Sequence, residues 1–164
     1  LLCTIPGVQV HAAQVLIAEC GLDMSVFPTV GHFASWAGAC PGHHQSAGRR
    51  KPGRSRPGPS WLTAQLTECA RAAARAKGTY LAAHFAQLRG RHGEPKAIGA
   101  LRHDLLVAYY HVVRDQVPFR ELGPDRQRKR YSPEHRARRL QRQLEALGNT
   151  VTIEATKATK EQAA

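Results

Sequence analysis

Glu94-Pro95-Lys96-Ala97-Ile98-Gly99-Ala100-Leu101-Arg102-His103-Asp104-Leu105-Leu106-Val107-Ala108-Tyr109-Tyr110-His111-Val112 carries the longest helical periodicity in the chain. Ile98, Leu101, Leu105, Ala108, Tyr109 and Val112 recur at the spacing that lines one face of a helix. Pro95 suits a first turn, where its missing N–H costs nothing, and Pro118 lies beyond the end. Upstream, residues 10–20 read as a helix with Ala12, Ala13, Val15, Leu16 and Ile17 as its apolar face and Gly21 as its stop. A second short helix spans 30–39, with Phe33, Trp36 and Ala37 turned inward. Ser60 is a plausible N-cap for a helix whose stripe is Leu62, Leu66, Cys69, Ala70 and Ala73. Another runs over 80–88 and ends near Gly90. A last amphipathic helix starts at Ser132-Pro133-Glu134, runs through Leu140, Leu144 and Leu147, and stops at Gly148. Val151-Thr152-Ile153 suits one short strand, and the tail to Ala164 reads as disordered. The sum is a mainly α fold, with one long loop over 41–59 that is rich in Gly and Pro.

Charge gives the first functional direction. The 164 residues hold 24 Lys and Arg against 12 Asp and Glu, a net charge of +12. No acidic residue lies between Asp23 and Glu68, yet that interval holds Arg49, Arg50, Lys51, Arg54 and Arg56. A second block runs through Arg126, Arg128, Lys129, Arg130, Arg136, Arg138, Arg139 and Arg142. Like charges gathered this way repel until an anion neutralises them, which points to nucleic acid. No apolar run suits a membrane span, and the start lacks the regions of a signal peptide. These features suit a cytoplasmic, nucleoid-associated protein. The four cysteines, at 3, 20, 40 and 69, form no Cys-x-x-Cys pair and read as reduced, mostly buried thiols. Cys40, His43 and His44 lack a fourth ligand for zinc.

Two places could carry chemistry. Ile5-Pro6-Gly7-Val8 before an Ala-rich helix has the pattern of a helix-hairpin-helix, in which Gly7 lets a phosphate approach outward-turned backbone N–H groups. The second glycine of that pattern is replaced by Gln9, and an ordinary tight turn is the alternative. The loop holds Ser46 between Gly42 and Gly48, directly ahead of Arg49, Arg50 and Lys51. A serine that attacks a phosphodiester needs exposure, a base and cations around the phosphoryl oxygens. His43 or His44 could take the proton, and the arginines could grip phosphate in bidentate fashion. A merely solvated serine is the alternative. Asp104, Asp115 and Asp125 are not spaced as a carboxylate cluster, and Asp104 beside Arg102 and His103 reads as a surface ion pair. No Walker loop, dinucleotide fingerprint or His-Glu-x-x-His motif is present.

The ordered set of motifs resembles the C-terminal half of insertion-sequence transposases of the IS-one-ten, IS-one-sixteen and IS-nine-oh-two type. The resemblance rests on Pro6-Gly7-Val8, Phe27-Pro28, the run Phe33-Ala34-Ser35-Trp36-Ala37-Gly38-Ala39-Cys40-Pro41-Gly42, and Ser46-Ala47-Gly48-Arg49-Arg50. It continues through Gly58 and its helix, Arg91-His92-Gly93, Lys96-Ala97-Ile98, Tyr110-His111 and Leu144-Glu145-Ala146-Leu147-Gly148-Asn149, to about Glu154. It implies a DNA recombinase whose serine nucleophile, Ser46 by position, links covalently to DNA. It further implies a resolvase-like N-terminal half with carboxylates that bind Mg²⁺, a structured guide RNA and a homo-oligomer. This chain lacks that half and opens at Leu1 without Met, as a fragment would. The expectation is therefore a transposase domain, inactive alone, over residues 1–118. Within it a hairpin-like segment covers 1–40, the serine loop 41–59 and a helical segment 60–118. A basic linker and helix then occupy 119–150 and a tail 151–164. Gly7, Arg49, Arg50, Lys51, Arg54, Arg56, Arg128, Lys129 and Arg130 are the expected nucleic-acid contacts, and no cofactor is expected in the chain itself. The competing readings are a non-enzymatic helix-hairpin-helix module for DNA or RNA, and an assembly domain whose helices over 94–116 and 133–147 pack against partners.

Overall fold

The computed structural model describes residues 1–40, 42, 45–50, 57–126 and 133–153. Six α-helices occur among them: α1 Val10–Cys20, α2 Val30–Trp36, α3 Ser60–Arg75, α4 Tyr80–His92, α5 Glu94–Asp115 and α6 Pro133–Glu145. Short 3-10 turns cover Leu2–Thr4 and Met24–Val26, and a two-stranded ribbon pairs β1 Gln45–Ser46 with β2 Arg49–Arg50. The chain divides into two units, Leu1–Gln127 and Arg128–Ala164.

In the first unit α5 packs against α2, α3, α4 and both 3-10 turns, and α1 lies on α3. Its central place explains why one stripe does not describe it. Leu101, Leu105, Ala108, Tyr109 and Val112 are buried, but so are Leu106, Tyr110 and Val113 on a second face, while Ile98 is half-buried. The Tyr109 hydroxyl donates to the Gly21 carbonyl at 2.6 Å, and that of Tyr110 to the Phe27 carbonyl at 3.2 Å. Each phenol thus enters the core with its polar end satisfied. Glu94 in the first turn faces the positive end of the helix dipole.

Several boundaries differ from those the sequence suggests. α4 continues through Gly90 to His92 and ends at Gly93, whose φ of +82° suits only glycine comfortably. The Gly93 N–H donates to Arg89, and its carbonyl accepts from Ala97, so one residue closes α4 and opens α5. Ser60 is the first helical residue of α3 rather than its cap; the cap position is Pro59. Trp36 is not turned inward: it ends α2 43% exposed, laid over Phe33 and Phe27 at centroid distances of 5.9 and 5.5 Å. Of the cysteines only Cys69 is buried; Cys3 is exposed, and Cys20 and Cys40 are intermediate. Burial, with Glu19 nearby, pushes the Cys20 thiol up to about 12.

In the second unit, Val151–Ile153 is not a strand. A lone extended segment has no ladder to join, and the Val151 carbonyl instead accepts from Gln141 Nε2 of α6 at 3.2 Å. Leu140, Leu144 and Leu147 are exposed, as are Arg138, Arg139 and Arg142.

Candidate nucleic-acid interface and serine site

Gly7 sits in the turn between the first 3-10 element and α1, at φ +86°. A Cβ there would run into the Cys69 carbonyl oxygen and come within 2.7 Å of the Ala73 nitrogen. The protein's own α3 backbone thus accounts for this glycine, independently of any phosphate.

Residues 41–59 are not irregular throughout. Gln45 pairs with Arg50 and Ser46 with Arg49 in antiparallel register. Ala47 and Gly48 make the connection at φ +50° and +74°, the two positive values of a type I′ hairpin turn. Holding Ala47 left-handed costs roughly 1–2 kcal/mol, strain of a kind found where a side chain must be presented. Ser46, the residue immediately before this turn, is exposed, and among the described residues no side chain hydrogen-bonds to its hydroxyl. Arg49 is also exposed. Opposed residues on one face of such a ribbon have Cβ atoms about 5 Å apart, so the register puts Ser46 and Arg49 on one face as direct neighbours. Arg50 occupies the next register position, opposite Gln45.

The ribbon is rooted at its base. A Cβ on Gly58 would strike the Ala37 carbonyl oxygen and lie 2.7 Å from its carbon. Only a glycine lets the end of the loop abut the end of α2, so the excursion leaves and rejoins the helical body at one point. His43, His44, Lys51, Arg54, Arg56, Arg128, Lys129 and Arg130 lie outside the described residues.

One pair has no counterpart in the sequence pattern. Asp104 does pair with its neighbour His103, but its closer partner lies on another helix. Its Oδ2 lies 2.7 Å from His84 Nδ1 on α4, with the two side chains 26% and 18% exposed, whereas His103 stands 4.0 Å off. Burial pushes the Asp104 carboxyl up, but the imidazoles of His103 and His84 outweigh it and hold the group below the ordinary carboxylate range. A lowered native value adds stability that is complete above the unfolded value and is lost as pH falls through the folded one. Asp104→Asn is therefore expected to cost about 1 kcal/mol at pH 7, and the deficit should close in acid, once the pH falls below the folded value. Urea unfolding at pH 7 and in acid measures this. Among the described residues no three His, Cys, Asp or Glu side chains converge on a point that could hold a metal ion.

The first unit is helical and opposes an exposed serine to an exposed arginine on a two-stranded ribbon. The model described as Transposase IS116/IS110/IS902 family matches residues 1–86, and the chain belongs to that family. The match takes in α1, α2, the ribbon, α3 and the first half of α4. No curated protein and no solved structure matches the chain. Transposases act on DNA, so DNA is the polyanion this family handles. No helix among the described residues is long and apolar enough to cross a membrane.

Proposed function

We propose that this chain is the strand-exchanging domain of its transposase and that Ser46 is the nucleophile. The observation that carries the reading is the register Ser46↔Arg49 at the tip of a ribbon whose turn holds a strained alanine. The serine oxygen attacks a DNA phosphorus, and the Oγ–P bond forms as one phosphorus–deoxyribose oxygen bond breaks. The serine proton passes to a base, for which His43 and His44 stand three and two residues upstream in the chain. The departing oxygen takes up a proton and leaves as a hydroxyl. Arg49 bears on the phosphoryl oxygens, where charge grows as the fifth oxygen closes in. Arg50, Lys51, Arg54, Arg56, Arg128, Lys129 and Arg130 supply sequence-independent phosphate contacts. Attack on the phosphoserine by a different DNA hydroxyl reverses the step and joins new strands, so the bond energy of the backbone is conserved. The chain works with a carboxylate-bearing, Mg²⁺-binding half, a guide RNA and further copies of the protein.

The test uses end-labelled element DNA incubated with the chain, alone and joined to a resolvase-like half from a family member. Label should follow the protein through denaturation, and peptide mass spectrometry should place the phosphoester on Ser46. An adduct mapped to another residue would overturn the assignment.

A further inference from the structure

We propose that Trp61 is a stacking platform for an unpaired base of single-stranded DNA, a reading that rests on the transposase function above. Trp61 is 76% exposed in the first turn of α3. The ring adds nothing to the core, because Leu62, Leu66, Cys69, Ala70 and Ala73 already complete the buried stripe of this helix. An indole left in water forgoes the burial that normally retains it. Its position suggests what covers it. Trp61 stands three residues after Gly58, where the serine loop is rooted, so the ring and the exit of the most basic segment share one end of α3.

The surroundings suit a nucleotide. A recess of about 470 Å³ opens beside the ring between α1 and α3, lined by His11, Val15, Ala64, Gln65 and Glu68. That volume falls within the roughly 300–1,000 Å³ of small-molecule clefts. His11, Gln65 and Glu68 offer donors and acceptors for the edge of a base. The exposed face of α3 continues from Trp61 through Ala64 and Glu68 to Arg71 and Arg75. Arg71 holds Glu68 at 2.8 Å, so the acid is matched locally, and Arg75 adds a cation one turn further on. An aromatic ring with the Arg75 guanidinium about 21 Å further along the helix gives a base and a phosphate separate places, as single-strand sites do. In a duplex the faces of the bases are covered by their neighbours, so this surface selects unpaired DNA. Breaking one strand at Ser46 would leave an end from which bases can unpair.

The chain has two tryptophans, so Trp36→Phe leaves Trp61 as the sole indole emitter. Oligothymidylate of about 15 nucleotides, within the span such sites cover, should quench that emission saturably. Trp61→Ala should weaken its binding about tenfold or more, Trp61→Phe should retain most of the affinity, and binding of a blunt duplex of equal length should stay within about twofold. Equal losses on single strand and duplex, an unquenched indole, or a change in self-association in place of DNA affinity would each overturn the platform. A silent Trp61→Ala alongside an intact Ser46 adduct would sink this inference alone. A wild-type chain that binds no DNA would sink both readings.

Discussion

Ser46→Ala is expected to abolish the covalent protein–DNA adduct while leaving DNA affinity within about twofold. Only a hydroxyl is removed. The backbone pairing with Arg49 does not use the side chain, and alanine accepts the extended backbone of β1. The phosphate contacts proposed above belong to residues other than Ser46, so binding and chemistry should separate. Removing a covalent nucleophile from an organised site costs on the order of 10⁴- to 10⁶-fold in rate, below detection in a gel assay. Three outcomes speak against the assignment. A parallel loss of binding would make Ser46 a support of the ribbon. An adduct that survives would place the nucleophile elsewhere, and a chain that binds DNA but forms no adduct in any context would fit the non-enzymatic module.

The second large effect concerns the helical body. Gly7→Ala should lower stability by about 2–4 kcal/mol, combining the cost of a left-handed φ at a residue with a Cβ with overpacking. The new methyl group meets the Cys69 carbonyl and the Ala73 nitrogen, which are α3 backbone and cannot rotate aside. For a chain of this length the midpoint of thermal unfolding should fall by about 10 °C. Gly21→Ala is the control: Gly21 also has a positive φ, +72°, but nothing lies within 4 Å of its Cβ position. It should lose less, roughly 1–3 kcal/mol, the cost of its own backbone conformation with no clash added. Equal midpoints for the two variants would show that the approach to α3 is not what selects Gly7.

The helices were legible because their signals are local. The starts of α1 and α5 and the stop at Gly21 are written in periodicity and in Gly and Pro placement. Features that depend on what a helix packs against were not. Trp36 has the spacing of a core residue but ends α2 at the margin of an aromatic cluster. Gly90, which has the look of a breaker, is tolerated because Gly93 supplies the left-handed stop. His84 and Asp104 lie 20 residues apart on different helices, so no pattern within one segment could pair them. At the serine loop the residue types were readable, but the ribbon register was not: it depends on Ala47 taking a left-handed conformation that its side chain disfavours. Trp61 was readable in principle, since it falls off the stripe of Leu62, Leu66 and Cys69.

The contact of Gly58 with Ala37 makes the serine segment a cartridge. Its two ends are clamped to each other at the body, so the span between can change in length or content at little expense to the helices. Doubling a loop whose ends are already held costs only about 0.6 kcal/mol. The tip of the segment can thus be exchanged on an unchanged chassis, provided the residue at the clamp has no side chain.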